Sequence, residues 1–170
     1  MYYNHNSDSH FITFTILIIV FFISFYVIYE IRIILKKRRI DEILDDLASN
    51  NAEITPEEFI ALRNEKLHGY KYEGYYALTK NFAGIYILHN ITKDKYYVGQ
   101  SKSVLNRVNM HFTGKGNGDV YFDYRLGDQF TIRMISLENS GFSSLNSLEK
   151  NAIAKYHAYT RGYNKTRGND

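Results

Sequence analysis

Nineteen consecutive residues without a charge, Phe11 to Tyr29, constrain this chain more than any other stretch. At 1.5 Å per residue a helix of that length spans roughly 28 Å, close to the hydrocarbon thickness of a bilayer. The run is apolar all round, whereas a helix buried in a soluble core would show a polar face. A cleaved signal peptide would have basic residues before a shorter apolar core and small residues after it. Met1 to His10 contains neither Lys nor Arg, and no Ala-x-Ala site follows the run. Tyr26 and Tyr29 lie near one end, where interfacial aromatics belong. Residues 11–31 are therefore expected to be a single-pass anchor in a lipid bilayer, preceded by a short extracytoplasmic segment, residues 1–10. Arg32, Lys36, Lys37, Arg38 and Arg39 crowd its carboxyl side. The positive-inside rule then puts the N-terminus outside and everything beyond Ile40 in the cytoplasm, with the basic cluster against anionic lipid.

Charge divides what remains. Residues 40–69 hold eight acids against Arg63 and Lys66, a balance of −6. Asp41 to Leu47 continues a helix beyond the anchor, and Ser49-Asn50-Asn51 interrupts it. Thr55-Pro56-Glu57-Glu58 starts another, with Thr55 as N-cap, proline at the first helical position and Glu58 completing a capping box. That helix is expected to run to about Leu67, with the tyrosine-rich Tyr70–Tyr76 padding the edge of the domain behind it. Residues 32–81 thus read as a basic juxtamembrane segment and an acidic helical spacer, unsuited to DNA and suited to docking a protein partner. From Lys71 onward fourteen Lys or Arg outweigh eight acids, a balance of +6 that suits a phosphate-backbone partner. The remaining length holds one small domain, no repeat is present, and the absence of cysteine excludes thiolate metal sites and disulfides.

Within that domain, Ala83–His89 and Lys95–Gln100 read as strands joined by the polar connector Asn90–Asp94, a hairpin. It would set the tyrosines and glycines of Gly84-Ile85-Tyr86 and Tyr97-Val98-Gly99 facing each other, with close backbone approach at Gly84 and Gly99. Ser103–Phe112 is an amphipathic helix with Val104, Leu105, Val108 and Phe112 on one stripe, and Arg107 and His111 on its flank four residues apart. Thr113–Asp119 is glycine-rich but lacks the ending of a nucleotide P-loop, so it reads as a flexible surface loop. Gln129–Ser136 alternates as a third strand, and Ser144–Tyr159 reads as a helix with Leu145, Leu148, Ala152, Ile153 and Tyr156 inward. Glu149 falls inside that apolar stripe. A carboxylate there is costly to bury unless it pairs, as with Arg107 or Arg133, or holds a ligand.

In this order the residues resemble a GIY-YIG nuclease domain, over 82–168. The resemblance rests on Gly84-Ile85-Tyr86, Tyr97-Val98-Gly99, Arg107, His111, Glu149 and the terminal Gly162-Tyr163-Asn164. Val98 replaces the commoner isoleucine, and Gln100 stands where some members carry a lysine. The resemblance implies an α/β (α+β) fold, a small antiparallel sheet of about three strands flanked by helices. It also implies hydrolysis of DNA phosphodiesters, and with no length left for a second, specificity domain the expected sequence preference is weak. Such a reaction needs an activated water, a Lewis acid and stabilisation of the leaving oxygen. A lone carboxylate, Glu149, suits Mg²⁺ or Mn²⁺, and Arg107 offers the phosphate a permanently charged fork. By resemblance Tyr97 is the general base, positioned by Tyr86. A phenol near its free pKa of about 10 is a weak base at neutral pH, so Tyr97 is expected to draw help from the metal or from His111. Asn164 is expected to orient the phosphate or close the site. Attack on incoming phage or mobile-element DNA at the membrane is the expected role; the alternatives are a nuclease that processes DNA during uptake and a catalytically silent nucleic-acid-binding or membrane scaffold module of the same fold.

Overall fold

The computed structural model describes residues 5–65 and 80–168. Two compact units divide at Asp41. The first belongs to α1 (His5–Ser49), which contains the one helix, among the described residues, long and apolar enough to cross a membrane. Its large apolar side chains from Ile12 to Leu35 are exposed. The expected padding by Tyr70–Tyr76, like the expected helix end near Leu67, lies outside the described residues.

The second unit, Glu42–Asp170, holds a four-stranded antiparallel sheet in the order β1-β4-β2-β3. The strands are β1 (Glu53–Ile54), β2 (Gly84–Asn90), β3 (Lys95–Ser101) and β4 (Phe130–Ser136). The helices are α2 (Pro56–Asn64), α3 (Val104–Phe112), α4 (Gly118–Arg125) and α5 (Leu145–Lys155). Three strands are those expected; β1 is the addition, pairing Glu53 with Arg133 and Ile54 with Ile132. The last turn of α1 also belongs to this unit, where Leu44 and Ala48 are buried and Asp45 pairs with Lys155 at 2.8 Å.

The stretch whose charge suggested a spacer therefore contributes to the sheet and to the core. The capping box forms, with Glu58 N–H donating to Thr55 Oγ1 (3.2 Å) and Thr55 N–H to Glu58 Oε2 (2.8 Å). It fixes the start of α2, whose Phe59 is fully buried among Tyr86, Leu88, Val108, Phe112 and Ile132. The acids are partly spent inside the unit. Glu53 takes hydrogen bonds from Thr131 and Arg133, and Glu57 one from Tyr124.

Period-two alternation sorts the sheet into two faces. Tyr86, Leu88, Tyr97, Phe130 and Ile132 face the core that α2, α3 and α4 cover. Ile85, Ile87, Val98 and Ile135 point the other way, where α5 packs with Leu148, Ala152 and Ile153 buried. Helix α5 ends at Lys155, a turn before its expected end, because Tyr156 caps it and His157 turns left-handed (φ 51°). The register corrects one expectation. Tyr86 lies opposite Gly99, Gly84 opposite Ser101 and Tyr97 opposite Leu88, so one motif tyrosine faces one motif glycine and the other two residues face neither.

Candidate active site

The motif glycines are packing requirements. A Cβ on Gly99 would be driven into the phenol of Tyr86, which crosses the strand to lie over it. A Cβ on Gly84 would collide with the carbonyl of Ile135 on β4. The missing Cβ at Gly99 lets Tyr86 run flat over β3 toward α3, and the one at Gly84 lets β4 close on β2. There it meets His111 and Tyr97 in a three-ring cluster, with centroids 5.3 Å apart for Tyr86–His111, 4.8 Å for Tyr97–His111 and 6.1 Å for Tyr86–Tyr97.

Helix α3 supplies two members of this cluster's surroundings. His111 is not on the flank of the helix stripe but wholly buried, its Nε2 3.0 Å from Tyr86 Oη. Its Nδ1 accepts the backbone N–H of Asn117 at 3.0 Å. Burial, and then the nearby Arg107 cation, lower its pKa from the ordinary 6.5 to about 4, so the imidazole is neutral at neutral pH. Burial pushes the Tyr86 phenol far above its ordinary range; Tyr97 adds to this and Arg107 opposes it. Arg107 is half-buried one turn before His111, with Nη1 3.8 Å from Met110 Sδ.

Glu149 stands on α5, on the far side of β3 from the rings. It is 8% exposed, buried as its stripe position required. Gln100, which the sequence left without a role, is its link to the sheet. The Gln100 amide donates to Glu149 Oε2 at 2.9 Å and to Asn146 Oδ1 at 2.7 Å. β3 is the last strand of the sheet, so the rings on one face and Glu149 on the other both border the same edge. Among the described residues no three His, Cys, Asp or Glu side chains converge as a metal cage. One carboxylate beside amide oxygens fits a hard divalent ion that keeps most of its waters, and fits Zn²⁺ poorly.

Asn164, expected to orient the phosphate or close the site, lies against the backbone of β3. Its Oδ1 accepts the Val98 N–H at 2.9 Å and its Nδ2 donates to the Val98 carbonyl at 2.7 Å. Both ends of the amide are thus engaged by the backbone next to Tyr97, and the side chain acts as a one-residue strand on the edge. The neighbouring Tyr163 N–H donates to the Tyr96 carbonyl at 2.9 Å. Gly162 permits this approach, since a Cβ there would strike the carbonyls of Tyr96 and Ala158.

Sequence reasoning missed a polar network behind that edge. Tyr163 Oη donates to Asp123 (2.6 Å) and accepts from Asn90 (2.7 Å), while Lys93 binds Asp123 (2.7 Å) and Asp128 (2.9 Å). Burial alone would raise the pKa of Asp123, but the bonds from Lys93 and Tyr163 outweigh it and lower it. Helix α4 was missed as well. Its signal was Asn117, whose Oδ1 accepts from Asp119 and Val120 N–H as an N-cap.

Residues 82–164 match the family model described as the GIY-YIG catalytic domain, just under half of the chain. No curated protein and no solved structure matches the chain. The matched span opens at Phe82, just ahead of β2, and closes on Asn164, the residue that seals the edge of β3. Strands β2, β3 and β4, the ring cluster and the edge seal fall within it, and residues 82–164 carry a GIY-YIG domain, a domain whose family members are endonucleases.

Proposed function

We propose that the chain is a membrane-anchored DNA endonuclease that depends on a divalent metal and has low sequence specificity. The observation that carries this reading is the ring cluster of Tyr86, Tyr97 and His111 beside Arg107, given room by Gly99 within the family match. Tyr97, the half-buried member, faces the attacking water and takes its proton; Tyr86, locked beneath it, holds the ring in place. Arg107 binds the scissile phosphate, where its fork stabilises charge on the non-bridging oxygens. Glu149 would hold Mg²⁺ or Mn²⁺, which when bound supplies Lewis-acid stabilisation at the phosphate. Gln100 orients the carboxylate through its amide, the kind of supporting contact that fixes a ligand's geometry. The +6 balance from Lys71 onward supports a polyanionic substrate.

The apolar part of α1 anchors the enzyme in the cell membrane, with the catalytic domain in the cytoplasm by the basic residues that follow. An anchored nuclease acts on DNA that comes to the bilayer, and there its effective concentration is high. Phage or mobile-element DNA crossing the membrane is the substrate this arrangement favours.

Two experiments test the reading. Full-length protein in detergent should nick supercoiled plasmid with Mg²⁺ or Mn²⁺ and stop when the ion is chelated. Glu149→Ala should lose that activity while keeping its fold and its affinity for DNA; digestion at the parental rate by this variant would refute the mechanism. In cells challenged with phage, protection should require both Glu149 and residues 1–40. Equal protection by a soluble version expressed to the same level would remove the role of the anchor.

A further inference from the structure

The glycine-rich run Thr113–Asp119 is not used by the chemistry above, yet it closes directly on His111. Gly116 lies so near the end of α3 that a Cβ would sit 2.7 Å from His111 Cα and 2.8 Å from its N and Cγ. Its φ is not in the left-handed region, so close approach alone demands glycine here. The loop is held at both ends. Lys115 N–H donates to the Met110 carbonyl at 2.9 Å. The Asn117 side chain caps α4 and donates to the Tyr163 carbonyl at 3.3 Å. What this holds in place is the Asn117 N–H on His111 Nδ1.

We propose that this loop is a tautomer lock, with Gly116 and Asn117 as positioning residues that fix His111 in its Nε2–H form. His111 is thereby a hydrogen-bond donor to Tyr86 and cannot serve as the proton acceptor of the reaction. An amide N–H can only donate, so Nδ1 must present its lone pair. A neutral imidazole has one ring proton, which is then on Nε2, 3.0 Å from Tyr86 Oη. Tyr86 oxygen accepts that bond, and its own proton turns away from His111. Of the other polar groups beside Tyr86, Arg107 has no lone pair, whereas Tyr97 does. The donors therefore run one way, from Asn117 through His111 to the oxygen of Tyr86. This removes the help from His111 as a base that the sequence suggested, and gives it the task of orienting the tyrosine pair.

This inference concerns the same site as the proposed nuclease activity, so the primary readout is independent of cleavage. Full-length protein in detergent micelles, labelled with ¹⁵N-histidine, shows the two nitrogens of each imidazole separately. His111 is assigned by the signals that vanish in His111→Gln; the other five histidines report the fold. At neutral pH, His111 should show an unprotonated Nδ1 and a protonated Nε2. Asn117→Ala keeps the backbone N–H and should keep this pattern. Asn117→Pro deletes that N–H at a φ of −74°, which proline adopts, and should give a tautomer mixture. Two results would overturn the lock whether or not the protein cuts DNA: a protonated Nδ1 in the parent, or an unchanged pattern in a folded Asn117→Pro. If instead the pattern is as expected and no plasmid is nicked, the nuclease reading fails and the lock stands.

Discussion

Replacing Asn164 by alanine separates two roles that the sequence could not distinguish. In the structure its amide makes two bonds to the Val98 backbone, at 2.9 and 2.7 Å, and so completes the edge of β3 beside Tyr97. A typical hydrogen bond contributes about 1 kcal/mol net. Two are lost, but Asn164 is only half-buried, so water partly replaces them. The expected cost is about 1–2 kcal/mol of stability. For a folded unit of this size that lowers the midpoint by roughly 3–10 °C. Thermal unfolding of the full chain in detergent, followed by tyrosine near-UV signals, measures this directly. Nicking assayed well below the new midpoint should fall far less than in Tyr97→Phe. An unshifted midpoint together with abolished nicking would show that the amide serves the phosphate after all, and the edge-seal reasoning would fail.

Three further outcomes are expected. Tyr97→Phe should lower the nicking rate by about 10²-fold or more with little change in DNA affinity, because the lost interaction belongs to the transition state; single-turnover kinetics would show it. Stability should fall as pH drops from 6.5 toward about 4, since the unfolded chain protonates His111 in that window while the buried native imidazole resists it. That term is on the order of 3 kcal/mol, and urea midpoints at several pH values should show a shallower slope in a folded His111→Gln variant. Reporters fused after Asp170 should be active only when they are of the cytoplasmic type; an active exported reporter would reverse the orientation.

The sequence by itself determined the motif and most of the elements, though not β1 or α4. Uninterrupted apolar composition marked the span in α1, and local cap chemistry marked the start of α2, because both depend on neighbours in the chain. Strand alternation located β2, β3 and β4, and the burial of Glu149 followed from its place in a helical stripe. What lay beyond reach was decided by contacts between distant residues. Charge suggested a spacer or docking helix, and did not show that Ile54 and Phe59 join the sheet and core through partners more than twenty residues away. Gln100 gained its meaning only when α5 brought Glu149 to it, and Asn164 only when the chain's end met the edge of β3. The glycine-rich run looked flexible because composition records conformational freedom and not what a missing Cβ lets pass. Only the packed structure sets Gly116 against His111, and with it the direction in which the hydrogen bonds of the site run.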